Sequence, residues 1–167
     1  AYLSKKIESD KAEIIVADGN FHGRTTTIIS FSSDANSKND FGPHTPGFVS
    51  VEFGSAKAIE QVINENTAAV LIEPIQGEGG IIVPPENFLP EVRKICTKNN
   101  VLMILDEVQS GLGRTGKLFA FQHSNIQPDG LILGKALGGG FMPVSCFLAS
   151  KEVMQWLTPG SHGSTFG

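Results

Sequence analysis

The sequence has no excess of positive charge, no long apolar run and only two cysteines, and each shortage closes off a class of function. With 13 Lys and Arg against 17 Asp and Glu, the formal net charge is −4, and no basic patch is present to meet a nucleic-acid backbone. No stretch approaches the roughly 20 apolar residues of a membrane-spanning helix. The opening residues AYLSKKIESDKAE also lack the apolar core of a signal peptide. The expected location is therefore the cytoplasm, or the mitochondrial matrix in a eukaryote. Cys96 falls in a predicted amphipathic helix and Cys146 in a predicted strand, without the paired spacing of a metal site or disulfide framework. Both read as buried, reduced thiols. Four scattered histidines speak against a metal centre.

What is present is an alternation of strand and helix signals. A chain of 167 residues, 40% hydrophobic, is long enough to bury one sizeable core. Short apolar runs at residues 12–18, 48–53, 68–72, 101–105, 131–133 and 144–150 read as strands. Helical patterns fall between them at residues 25–32, 55–64, 84–99, 119–123 and 151–157. Ser55 is placed to cap the second helix, and Pro84-Pro85 to open the third. Residues 33–47, rich in Ser, Asn, Asp, Gly and Pro, read as a long loop, a kind usually found covering a site or an interface. The expected architecture is α/β, a mainly parallel sheet flanked by helices with right-handed crossovers.

The chemistry gathers at the ends of two strands. VLMIL at 101–105 runs into Asp106-Glu107, and LIL at 131–133 runs into Gly134-Lys135. An Asp or Lys just beyond a strand is ordinarily a solvated loop residue. In an open parallel sheet, however, the carboxyl ends of the strands face the ligand crevice, so an acid and an amine would meet there. Gly138-Gly139-Gly140 leaves the lysine uncrowded. A phosphate loop is the obvious rival, since GLILGKA superficially carries its pattern. It fails on spacing, with three residues between the glycines instead of four, and on Ala136 in place of the magnesium-binding hydroxyl. Upstream, Phe21-His22-Gly23-Arg24 follows another strand. Read alone, such an aromatic pair suits packing more often than a ligand face. Glu73 and Glu78, on the glycine-rich turn EPIQGEGG, admit three readings: an acid/base pair, ligands for a hard cation, or solvated charges.

Taken together, DEVQSG at 106–111, GRTG at 113–116, Pro128-Asp129 and GKALGGG at 134–140 resemble the class III, ornithine-type, pyridoxal-phosphate-dependent aminotransferases of fold type I. The resemblance extends over essentially the whole chain. It departs at Gly130, where the family carries an apolar residue and where a glycine should loosen the start of the strand.

The resemblance implies pyridoxal 5'-phosphate as cofactor, attached covalently to Lys135, with Asp106 bonded to its protonated ring nitrogen. It implies that Phe21 stacks on the ring beside His22, that Glu73 forms the floor of the site and that Gln109 lies near the phenolic oxygen. Ser164 and Thr165 match the turn that binds the phosphate of a neighbouring subunit's cofactor, so a homodimer with shared sites is implied, and the 33–47 loop is expected at the subunit contact. Arg24 matches the residue that holds a substrate carboxylate. Glu78 matches one that pairs with an arginine lying beyond Gly167. FGPHTPGF at 41–48 and Pro143-Val144-Ser145 are most similar to the branch that moves the terminal amino group of ornithine to 2-oxoglutarate, giving glutamate 5-semialdehyde and glutamate. Gly79 is less typical of that branch, which often has alanine there. The alternatives are a sister enzyme acting on acetylornithine or 4-aminobutyrate, an aminomutase, or a catalytically incomplete binding piece. Complete family members are more than twice as long, so the chain reads as part of a large cofactor-binding domain, without the N-terminal segment and the C-terminal small domain.

Overall fold

The computed structural model describes residues 7–8 and 10–163; Ser164 and Thr165 lie outside them. Among the described residues, six strands form one sheet: β1 (Glu13–Ala17), β2 (Phe48–Val51), β3 (Thr67–Ile72), β4 (Leu102–Asp106), β5 (Gly130–Leu133) and β6 (Cys146–Ala149). Their spatial order is β2-β1-β3-β4-β5-β6. The first five are parallel, and β6 returns antiparallel to β5. The helices are α1 (Thr26–Ile29), α2 (Ala35–Lys38), α3 (Ala56–Val62), α4 (Phe88–Asn99) and α5 (Lys151–Met154), and 3-10 turns occupy Ala120–Ser124 and Lys135–Gly138.

Strand periodicity divides the core. Ile15, Ala17, Val70, Ile72, Met103 and Leu105 face one side of the sheet, where Ile59 of α3 and Phe88, Leu89, Val92 and Cys96 of α4 pack onto them. Val16 and Leu71 face the other side and meet Phe31, with Ile14, Ile104 and Ile132 partly covered. Burial on both faces explains why these strands read as continuous apolar runs. Ser55 caps α3 through the Ala58 N–H, as its position suggests. No helix among the described residues is long and apolar enough to cross a membrane.

Several boundaries differ from the sequence reading. Pro84-Pro85 do not open α4: they lie in the turn before it, Pro85 O accepts from the Phe88 N–H, and Asn87 is the cap residue. The proline inside the first turn is Pro90, at a place where the missing N–H has no helical partner to lose. The 33–47 segment is not wholly loop, because Asp34 caps the one-turn α2 through the Asn36 N–H. The last helix ends at Met154, short of residue 157. Cys96 is buried, but Cys146 is only half-buried because it opens the outermost described strand.

Gly130 does not loosen β5. It pairs with Ile104 on one side and Ala149 on the other. A Cβ at this position would lie 2.7 Å from the Phe147 ring, so an aromatic side chain of β6 occupies the space a larger residue would need.

Met103, fully buried at the centre of the larger cluster, is a direct measure of this packing. Met103→Ala is expected to lower stability by about 2–5 kcal/mol, read as a lower urea midpoint at unchanged slope.

Candidate active site

The parallel order places the ends of β1, β3, β4 and β5 along one edge of the sheet. Asp106, the last residue of β4, is opposite Ile132 of β5 in register, so Lys135 stands only three residues beyond its partner strand position.

Two linked groups of side chains result. The first is buried. Asp106 Oδ2 is 2.8 Å from His22 Nδ1, with the two side chains 6% and 1% exposed, and Asp106 Oδ1 accepts from the Val108 N–H at 3.0 Å. An ionised carboxylate can only accept, so His22 Nδ1 carries the shared proton. The other ring nitrogen, His22 Nε2, is buried and has no partner among the described residues. Beside this pair, Glu73 at the end of β3 accepts from the Phe21 N–H (3.1 Å) and the Gly77 N–H (3.3 Å). Burial pushes the Glu73 carboxyl above its ordinary range, and the two backbone donors only partly oppose this.

The second group is open. A cleft of about 500 Å³ is lined by Lys135, Gln109, Ser110, Arg114, Thr115 and Gly77, among others. Glu78 Oε1 accepts from Gln109 Nε2 (3.3 Å) and lies 3.8 Å from Lys135 Nζ. Glu78 thus lies beside the Lys135 amine, with its side chain still exposed, as the solvated-charge reading has it. Lys135 has a left-handed backbone (φ 43°), unusual for a residue with a side chain and a source of local strain. It arises because the chain leaves β5 through extended Gly134 straight into a 3-10 turn.

Gly77 joins the two groups. Its N–H bonds Glu73, while a Cβ on it would lie 2.6 Å from the Gln109 carboxamide, so a larger residue would displace that side chain from its present place. Gly79 is constrained in the same way, because a Cβ on it would lie 2.7 Å from the Gly19 carbonyl oxygen. An alanine there would require the β1 and β3 loops to separate.

The expected residues are thus only partly brought together. Phe21, His22, Glu73 and Asp106 form the buried group, and Gln109, Glu78 and Lys135 the cleft; the former do not line the cleft surface. Arg24 turns over the Phe21 ring (5.2 Å) and donates to Ser37 Oγ (3.0 Å), which itself donates to Asp34. Sequence reasoning missed Gln76 and Glu107. Gln76 is buried and ties the two loops through Asp18 O. Glu107 is buried with both oxygens on backbone N–H groups, and burial raises its carboxyl as well. Its position inside DEVQSG was the only available signal.

The family pattern described as aminotransferase class-III matches residues 1–167, and the chain belongs to that family. An ornithine aminotransferase of Staphylococcus saprophyticus is 58% identical over the whole chain, which spans 42% of that relative's length. An ornithine aminotransferase of Toxoplasma gondii, whose structure reveals partial occupancy of PLP at its active site, superposes with a TM-score of 0.96 at 45% identity, over 100% of this chain and 39% of its own. An acetylornithine aminotransferase of Elizabethkingia anophelis gives 0.80 at 44% identity, over 99% and 38%. The expected fold type I sheet is therefore the one observed.

The raised Glu73 carboxyl makes stability depend on pH. Its proton is held more tightly in the folded chain, so its contribution is complete below the ordinary glutamate pKa and is lost as pH rises through the raised folded value. Between about pH 4 and about pH 7 the wild type is expected to lose more stability than Glu73→Gln, measured as urea midpoints; parallel curves would contradict this.

Proposed function

We propose that this chain supplies the cofactor-holding part of a pyridoxal-phosphate-dependent aminotransferase that moves the terminal amino group of ornithine to 2-oxoglutarate, giving glutamate 5-semialdehyde and glutamate. The observation that carries the reading is Asp106: a buried carboxylate, immobilised by His22 Nδ1 and the Val108 N–H, one strand away from the end that presents Lys135 to an open cleft.

The residues fit the cofactor. An acceptor fixed at the end of a central strand suits a ring N–H, a lysine amine suits a carbonyl carbon, and a cleft of about 500 Å³ is within the usual range for small-molecule sites. When bound, pyridoxal phosphate serves as the electron sink that makes the substrate's amino-bearing carbon acidic. Asp106 keeps the ring nitrogen protonated, and His22 holds the Asp106 carboxylate in one orientation. Phe21 offers its ring as a stacking face, Glu73 fixes the Phe21 backbone, and Gln109 supplies a donor from the cleft wall. Lys135 Nζ takes up the proton of the substrate carbon that carries the departing amine. Glu78, beside that amine, is placed to sense the side chain of the incoming substrate.

Arg24 is the candidate for the substrate carboxylate, with a planar fork suited to bidentate contact. Ser164 and Thr165 are assigned to the phosphate of a partner subunit's cofactor, which makes the working unit a homodimer, with residues 33–47 at the contact and the cytoplasm as its location. The likeness to ornithine enzymes at 58% identity and a TM-score of 0.96 supports ornithine as donor. Acetylornithine is the second reading, supported by the likeness to the Elizabethkingia anophelis structure.

The test is an absorption titration of the intact protein with pyridoxal phosphate beside Lys135→Ala, followed by ornithine or acetylornithine with 2-oxoglutarate. A visible band absent from the mutant, bleached by ornithine in preference to acetylornithine, is expected. Lys135→Ala should lower turnover by about 10²–10⁴-fold or more. A wild-type protein with no Lys135-dependent band would sink the assignment.

A further inference from the structure

Residues 108–119 leave the end of β4 and return to the 3-10 turn at Ala120–Ser124, and this excursion supplies Val108, Gln109, Ser110, Arg114 and Thr115 to the cleft that Lys135 shares. Little within it holds it in place. Leu112, Gly113 and Gly116 take left-handed backbone conformations, and Arg114, Lys117 and Leu118 are exposed. Its internal bonds are short-range: Gly113 N–H to Leu118 O, Arg114 N–H to Gly111 O and Gly116 N–H to Gly113 O. Outside ties come from Gln109 Nε2 donating to Glu78 Oε1, from the Phe119 N–H donating to Gln122 Oε1, from His123 Nε2 at Thr115 and from Lys117 Nζ donating to Gln122 O, all but one of them to the adjoining 3-10 turn.

At its base stands Glu107, 1% exposed. Its N–H donates to Ile132 O of β5, and its carbonyl accepts from the Gly111 N–H. Its two carboxylate oxygens accept from the Ala120 N–H (2.7 Å) and the Phe121 N–H (2.9 Å). One residue therefore grips both the departing and the returning strand of the excursion. Gly111 packs so closely that a Cβ there would lie 2.8 Å from the Glu107 carbonyl oxygen and 3.2 Å from its Oε2. Within the excursion, Ser110 Oγ is buried and without a partner among the described residues, although Ser110 lines the cleft.

We propose that Glu107 is a positioning residue whose carboxylate clasps this loop shut and thereby sets Gln109, Ser110 and Arg114 against the Lys135 cleft. Its kinetic consequence rests on the reading of that cleft as the reaction site; the clasp itself does not. Charge matters as well as shape, because a carboxylate accepts from both N–H groups, whereas the isosteric amide offers one acceptor oxygen and presents its own N–H₂ to the other donor.

The test uses the intact protein as wild type, Glu107→Gln and Ala120→Pro. The second variant removes one of the two donors while leaving the carboxylate in place, at a first-turn position that proline tolerates, after a residue, Phe119, already extended. Native-state trypsin digestion reports the loop directly, through cleavage after Arg114 and Lys117, with cleavage after Lys38 in α2 as the reference for general loosening. Both variants are expected to raise loop cleavage about tenfold with the Lys38 rate unchanged, and to raise the amino-donor KM several-fold while kcat changes by less than about twofold.

Unchanged loop cleavage, or equal acceleration at Lys38, overturns the clasp. Loop cleavage that rises with KM unmoved overturns the positioning role. If the wild type shows neither the Lys135-dependent band nor turnover, the proposed function fails, and the tryptic comparison still decides the clasp.

Discussion

Two adjacent carboxylates, Asp106 and Glu107, are buried at the end of β4, and the structure around them is arranged so that neither lacks partners. Successive residues of a strand point to opposite sides, so the two acids must be satisfied from different directions. Asp106 is met by His22, carried on the loop after β1, and by the backbone two residues ahead. Glu107 is met by the backbone of the 3-10 turn that precedes β5. An uncompensated buried carboxylate would cost several kcal/mol, so these bonds constrain where the β1 loop and the β4–β5 connection can lie. The site is a by-product of that constraint: the segments recruited to satisfy the acids are the ones that carry Phe21, Gln109 and Arg114.

Glycine takes a complementary part. Gly77 gives Gln109 its space, Gly79 allows the β3 loop to approach the Gly19 carbonyl, and Gly111 fits beneath Glu107. In each case a side chain would occupy a place already held by a polar group of the site. The left-handed Lys135 is the exception, a residue with a long side chain at a backbone position glycine would fill more easily.

Much of this was legible in the sequence, for physical reasons. Strands buried on both faces leave continuous apolar runs, so the β4 and β5 ends, and with them Asp106 and Lys135, could be located from the residues alone. Cap residues such as Ser55 act locally and were equally visible. The His22–Asp106 bond was not, because its partners are 84 residues apart and only the sheet order juxtaposes them. Glu107 stayed hidden because its partners are backbone N–H groups, which every residue but proline provides. The start of α4 was misplaced because Pro84-Pro85 signals a helix opening, whereas the first-turn proline is Pro90. Gly130 looked like a weakness because the compensating Phe147 ring belongs to the next strand but comes 17 positions later in the chain.

The strand order has a kinetic side. β1, the first described strand, lies between β2 and β3, and the site draws one bond from the loop after β1 to Glu73, just past β3, across 52 residues and another to Asp106 of β4 across 84. Parallel pairing of this kind offers no hairpin from which to nucleate, and closing such loops consumes chain entropy before any contact repays it. The pocket therefore cannot exist on a half-folded chain. During synthesis the early strands must wait for β4 and β5 to emerge, with apolar edges that a neighbouring chain could pair with in the meantime. For a molecule built in this order, the Lys135 cleft forms only once β4 and β5 have joined the strands made before them.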